Sequence, residues 1–91
     1  MQTIWNFQLT MTGEQEIFMP AGAKALCVRM QGNLPQLWAL IDESCFAAKA
    51  KRKVLVAGIG HLFEIDSSAY DYVGMIEHYA SVWHVFVSKE K

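Results

Sequence analysis

The chain has 91 residues, 53% of them hydrophobic and 19% charged, with a formal net charge of -1. That length makes one domain with a modest core, the apolar content excludes a disordered chain, and the short, interrupted apolar runs exclude a transmembrane helix. The near-balanced charge gives no global pull toward nucleic acid or an anionic membrane, so neither is expected as a partner.

Thr3 to Leu9 alternates, with Trp5, Phe7 and Leu9 on one face and Ile4, Asn6 and Gln8 on the other, the period of a half-buried strand. Thr10-Met-Thr-Gly13 is turn material. Alternation resumes from Glu14 to Met19, and Pro20, unable to donate to a sheet ladder, stops it. After Ala21-Gly-Ala-Lys24, the run Ala25 to Gln31 sets Leu26, Val28 and Met30 against Cys27, Arg29 and Gln31. Gly32-Asn-Leu-Pro35 is short enough for a hairpin. Its partner, Gln36 to Asp42, places Leu37, Ala39 and Ile41 on one side and Trp38 and Leu40 on the other. A strand apolar on both sides is expected to be covered on both.

Glu43 to Lys53 reads as a long hairpin tip, since Phe46-Ala-Ala-Lys-Ala50 is too short to hold a helix alone. Val54 to Ile59 is an apolar strand bounded by glycine, and Gly58-Ile-Gly-His61 marks a bulge or sharp exit. His61 to Asp71 is mostly loop, with Leu62, Phe63 and Ile65 as apolar pegs and Asp66-Ser-Ser68 as its turn. Tyr70 to Glu77 is a strand interrupted by Gly74, and Val82 to Ser88 a β-branched and aromatic strand. The tail Lys89-Glu-Lys91 is solvated. Residues 1–91 are therefore expected to form a single all-β domain, a small antiparallel sandwich or partly open barrel of about seven short strands.

The chemistry-bearing residues are few. Cys27 reads as a buried small hydrophobe and Cys45 as a free thiol on a loop, because one bridge does not match the dense frameworks of small secreted domains, and no close ligand pair of the Cys-x-x-Cys kind suggests a metal. Asp42-Glu43 and Glu64 with Asp66 are acids at strand ends, with no base or nucleophile to pair with. The expectation is no enzyme, no metal and no cofactor. Lys49, Lys51, Arg52 and Lys53 form a basic cluster able to meet phosphate or an acidic protein face, without interleaved aromatics to stack bases. His61 follows the glycine step, either exposed for function or fastening a turn. His84, in line with Val82 and Phe86, reads as a core or interface histidine. Met1-Gln-Thr-Ile-Trp-Asn6 has none of the features of a signal peptide, which points to the cytoplasm.

The remaining signal is an excess of large rings for one small interior, with the strands around Trp38 and Trp83 apolar on both faces. A second apolar face implies a subunit interface or partner surface, with Trp83, His84 and Phe86 as the candidates for a homo-oligomer contact.

Thr3-Ile-Trp-Asn-Phe7, Met19-Pro-Ala-Gly-Ala-Lys24, Leu37-Trp-Ala-Leu-Ile-Asp42, Gly58-Ile-Gly-His61, Tyr72-Val-Gly74 and Trp83-His-Val-Phe86 together resemble, in order and spacing, an uncharacterised family of small bacteriophage and prophage proteins. In that family the histidine after the glycine step is usually followed by proline; Leu62 stands there in this chain. The resemblance implies a phage or mobile-element origin and no known reaction. Accessory proteins of that kind act by binding, which suggests three roles. One is a non-catalytic inhibitor of a host defence protein in the bacterial cytoplasm. Another is an oligomeric sponge for a nucleotide-like signal, its phosphates held by Lys24, Arg29 or the cluster from Lys49 to Lys53 and its base stacked on Trp38 or Tyr72. The third is a structural, virion-associated module.

Overall fold

The computed structural model describes residues 1–11 and 13–89. The turn expected over Thr10 to Gly13 includes Thr12, and the solvated tail includes Glu90 and Lys91; these three lie outside the described residues. Seven strands run in the order β1 (Gln2–Gln8), β2 (Glu14–Pro20), β3 (Lys24–Gln31), β4 (Leu34–Asp42), β5 (Lys49–Gly58), β6 (Tyr70–His78) and β7 (Ser81–Ser88). They form two antiparallel sheets, β1-β4-β3 and β2-β5-β7-β6, packed as an open sandwich rather than a closed barrel.

The core is what the alternation of each strand sends inward. Leu37, Ala39 and Ile41 of β4 meet Val54 and Val56 of β5 and Val85 and Val87 of β7 in one buried cluster. The sheets come closest where β3 lies along β6. There a side chain at Gly74 would contact Val28 Cγ1 at 3.5 Å, and the backbone at Gly74, with φ of +150°, takes a bulge that most residues resist.

The hairpin between β3 and β4 forms as expected but tighter. Gln31 pairs with Leu34, so Gly32 and Asn33 alone make the turn, with Gly32 at φ +64°. Leu34 and Pro35 thus belong to β4 and not to the connection, and the Pro35 carbonyl accepts the Leu9 N–H at 2.9 Å. In β3 a bulge between Ala25 and Cys27 inserts one residue, so Leu26 leaves the face it was expected to share with Val28 and is 41% exposed.

The stretch after β4 is not a hairpin tip, because β4 and β5 lie in different sheets. Asp42 caps a short 3-10 turn at Glu43–Cys45, Phe46 stacks on Trp5 with ring centroids 4.7 Å apart, and the chain crosses to the other sheet. β5 then begins at Lys49, well before the apolar run. Its first half alternates like any half-buried strand, but Arg52 occupies a core-side position. Only 4% exposed, its Nε donates to the Ser88 carbonyl at 2.7 Å and its Nη1 to the Ala23 carbonyl at 2.9 Å. A buried guanidinium is tolerated where its donors are used, and here they tie β5 to the end of β7 and to the turn before β3.

β5 and β6 flank β7 and run parallel, so the intervening segment must travel the length of the sheet. It folds back over the outer face, placing the Phe63 ring 5.9 Å from Phe86. That accounts for Leu55 and Ala57, which alternate to the outside of β5 and are nonetheless buried. The expectation of a single interior was incomplete, since this loop builds a second, thin apolar layer from the chain's own residues. Among the described residues no loop covers the outer face of the other sheet in this way, and Trp38 and Leu40 stay half-buried there.

Candidate binding face of the four-stranded sheet

Cross-strand register decides which side chains meet on the outer face. Tyr72 of β6 stands opposite Phe86 of β7, and Met75 opposite His84. The Tyr72 and Phe86 rings meet edge-on at 5.3 Å, and the Tyr72 ring lies 5.7 Å from that of His84. Tyr72 Oη is 2.7 Å from His84 Nδ1, a hydrogen bond that sets the orientation of both rings. Phe63 closes this cluster from the crossover loop, with the fully exposed Leu62 beside it. Tyr72 is 54% and Met75 59% exposed, so the cluster is ordered by its own contacts while much of its apolar surface faces solvent.

This grouping cuts across the expected one. The sequence points to Tyr72 as a ligand-stacking residue and to His84 and Phe86 as interface residues; the register joins the three in one patch. Trp83 points the other way, packing against the core with its indole Nε1 buried and without a hydrogen-bond partner among the described residues. Met75, Leu62 and Phe63 were not singled out as site residues. The signal for the last two was present in a loop with apolar pegs, but only the crossover shows what they cover.

The basic run divides by the same alternation. Lys49, Lys51 and Lys53 project from the outer side of β5 while Arg52 is buried beneath them. Lys51 Nζ lies 3.7 Å from Glu16 on β2, and Lys53 stands opposite Glu16 in register, so acids of the neighbouring strand offset the lysines. Phe18, opposite Lys51, is exposed on the same face. Arg29 and Trp38, with Lys24, lie on the outer face of the three-stranded sheet, on the opposite side of the sandwich. The residues expected to hold phosphate and to stack a base therefore fall into two sets, Lys24, Arg29 and Trp38 on this face and Lys49, Lys51, Lys53 and Tyr72 on the other.

His61 is exposed at the start of the crossover loop, and its position explains Gly58. A Cβ at Gly58 would lie 2.9 Å from His61 Cε1 and 3.2 Å from Trp83 Cζ3, too close for any other residue without displacement. The imidazole meets the Trp83 indole edge-on at 5.4 Å, the His61 N–H donates to the Gly58 carbonyl at 3.1 Å, and Gly60 takes φ +83°. The ring thus locks the exit of β5.

The aspartates flanking the two short 3-10 turns are caps. Ser44 donates its N–H and its hydroxyl to Asp42 Oδ1 at 3.0 and 2.8 Å, and these bonds hold that carboxyl below the ordinary aspartate range. Ser68 does the same for Asp66, its hydroxyl at 2.6 Å having the larger effect and its N–H the smaller. Among the described residues no group of three or more histidines, cysteines and acids gathers at metal-binding distance. No helix among them is long and apolar enough to cross a membrane.

The chain matches the family described as Domain of unknown function (DUF7352) over residues 1–91, and it belongs to that family. Comparisons with curated proteins and with solved structures returned no match.

Proposed function

We propose that this family member is a non-catalytic binding protein that engages a partner protein through the outer face of the four-stranded sheet. The observation that carries the reading is the joined cluster of Tyr72, His84, Phe86 and Phe63, with Met75 and Leu62 exposed at its border. Aromatic rings and methionine held in place by their neighbours supply contact area at low entropic cost, the composition that characterises the centre of protein interfaces. The lysines and glutamates of β5 and β2 make a polar margin along one side.

The phage or prophage origin implied by the resemblance of the sequence supplies the kind of partner, a host protein whose defensive activity is blocked in the bacterial cytoplasm. The sponge reading draws less support, because the lysines on the face of Tyr72 are offset by Glu16 and Trp38, on the face of Lys24 and Arg29, is half-buried. The virion-module reading draws on no feature of this face.

The test compares tagged wild-type protein with a Leu62→Asp, Met75→Asp variant in capture from the lysate of the natural host. Both positions face solvent, so the charges spare the fold. One host protein held at fixed stoichiometry by the wild type and lost by the variant is the expected result. Equal capture by both, or capture by neither, rejects the reading.

A further inference from the structure

The two sheets have four edges, and three are protected against pairing with another strand. β3 and β6 are each broken by a bulge and lie against one another. β2 carries Glu14 and Glu16 and ends in Pro20. Bulges, charges and proline are the usual means by which sheets avoid edge-to-edge association. β1 has none of them. Gln-Thr-Ile-Trp-Asn-Phe-Gln contains no charge, proline or glycine, and its register with β4 is unbroken from the Gln2–Asp42 pair to the Gln8–Gln36 pair.

Which groups β1 leaves free follows from its ends. The Met1 carbonyl accepts the Glu43 N–H at 3.1 Å, and the Leu9 N–H donates to the Pro35 carbonyl at 2.9 Å. In an antiparallel ladder the residues that face the partner strand alternate, so the odd positions of β1 turn their backbone toward β4. Gln2, Ile4, Asn6 and Gln8 therefore present N–H and C=O to the open edge, and among the described residues nothing pairs with them.

A second observation falls at the same edge. β4 buries its inward Leu37, Ala39 and Ile41 completely, whereas Trp5, on the same inner face of β1, is 38% exposed, and the Phe46 ring stacked on it is exposed as well. The sandwich is open where the backbone is unpaired.

We infer that β1 pairs antiparallel with β1 of a second copy of this chain, joining the two three-stranded sheets across a two-fold axis at Trp5. Only even positions have free backbone groups, so the register must set even against even. Centring on Trp5 gives the longest such overlap. It places Gln2 against Gln8 of the second copy and Ile4 against Asn6 of the second copy as hydrogen-bonded pairs. Trp5 then faces its own counterpart at a non-hydrogen-bonded site, where side chains approach most closely. A one-residue slip would set free groups against groups already bonded to β4. An uncharged strand meets its own copy without repulsion, and the isologous contact closes at two subunits. The inference does not rest on the outer-face reading, since β1 lies in the other sheet.

Sedimentation velocity on the purified full chain, with backbone amide exchange on the same sample, tests it. The wild type is expected at twice the chain mass, with the amides of Ile4, Asn6 and Gln8 as protected as those of Thr3, Trp5 and Phe7. Ile4→Pro removes an edge-facing N–H and spares the β4 ladder. It is expected to sediment as a monomer in which the Asn6 and Gln8 amides exchange on the order of a hundredfold faster. A wild-type monomer, or a dimer whose even amides exchange freely while the odd ones are protected, overturns the inference. The wild-type exchange pattern decides the question even if the proline variant fails to fold.

Discussion

The Tyr72 hydroxyl lies 2.7 Å from Nδ1 of His84, and the same tyrosine ring meets Phe86 edge-on at 5.3 Å. One side chain of β6 thus fixes two side chains of β7. Tyr72→Phe keeps the ring contact and removes the hydrogen bond. The bond is exposed, so the expected stability loss is small, about 0.5 kcal/mol by urea unfolding. The His84 ring loses its anchor, and its NMR resonances should broaden or shift while those of Val85 and Val87 stay in place. Unchanged His84 resonances would mean that the hydrogen bond does not organise the patch.

Arg52→Ala should be the costly change in the basic run. It removes the donors to the Ser88 and Ala23 carbonyls from a buried site. The expected loss is about 2–3 kcal/mol, from unsatisfied acceptors and lost packing. Lys51→Ala, which removes only an exposed pair with Glu16, should stay within about 0.5 kcal/mol of wild type. Urea midpoints of the two variants check both values.

Gly58→Ala should displace the loop rather than the strand. The added methyl meets the tip of the His61 ring first and the Trp83 ring next. The expected cost is about 1–2 kcal/mol. Because both residues act through one contact, the effects of Gly58→Ala and His61→Ala should not add, and a double-mutant cycle should return a coupling of at least about 0.5 kcal/mol.

Asp42 and Asp66 carry carboxyls held below their ordinary range by Ser44 and Ser68. A depressed folded-state value contributes stability that is complete above the unfolded value, about pH 4, and is lost as pH falls through the folded value. Melting temperatures of the wild type and of an Asp42→Asn, Asp66→Asn variant should therefore differ most near neutrality and converge on acidification below that point. A difference independent of pH would show that the caps act without their charge.

Much of the fold is legible because apolar and polar residues take turns in β1 and β2, and because β4 and β7 are short apolar runs rich in aromatic and aliphatic residues, too short for a buried helix. What was not legible lay where one residue breaks the pattern for a reason outside its own strand. Arg52 made the start of β5 read as surface, since its buried position is made acceptable by carbonyls far away in sequence. The bulge beside Leu26 reversed a face without altering composition. Sheet membership was invisible too, because β4 and β5 read as sequential neighbours and only the crossover after Asp42 separates them. Of the site, Tyr72, His84 and Phe86 were each named from sequence. Their union depended on the register of β6 with β7, which the bulge between Tyr72 and Gly74 sets.

Protein binding by the face that bears Tyr72 and Met75 is the proposal on which the functional reading stands. The most direct measurement is photo-crosslinking in the natural host from a reactive side chain placed at Met75, compared with one at Arg29 on the opposite face. A single adduct of defined mass is expected from position 75, absent from position 29 and abolished by Leu62→Asp. Adducts from position 29 alone, or none from position 75, would contradict the proposal.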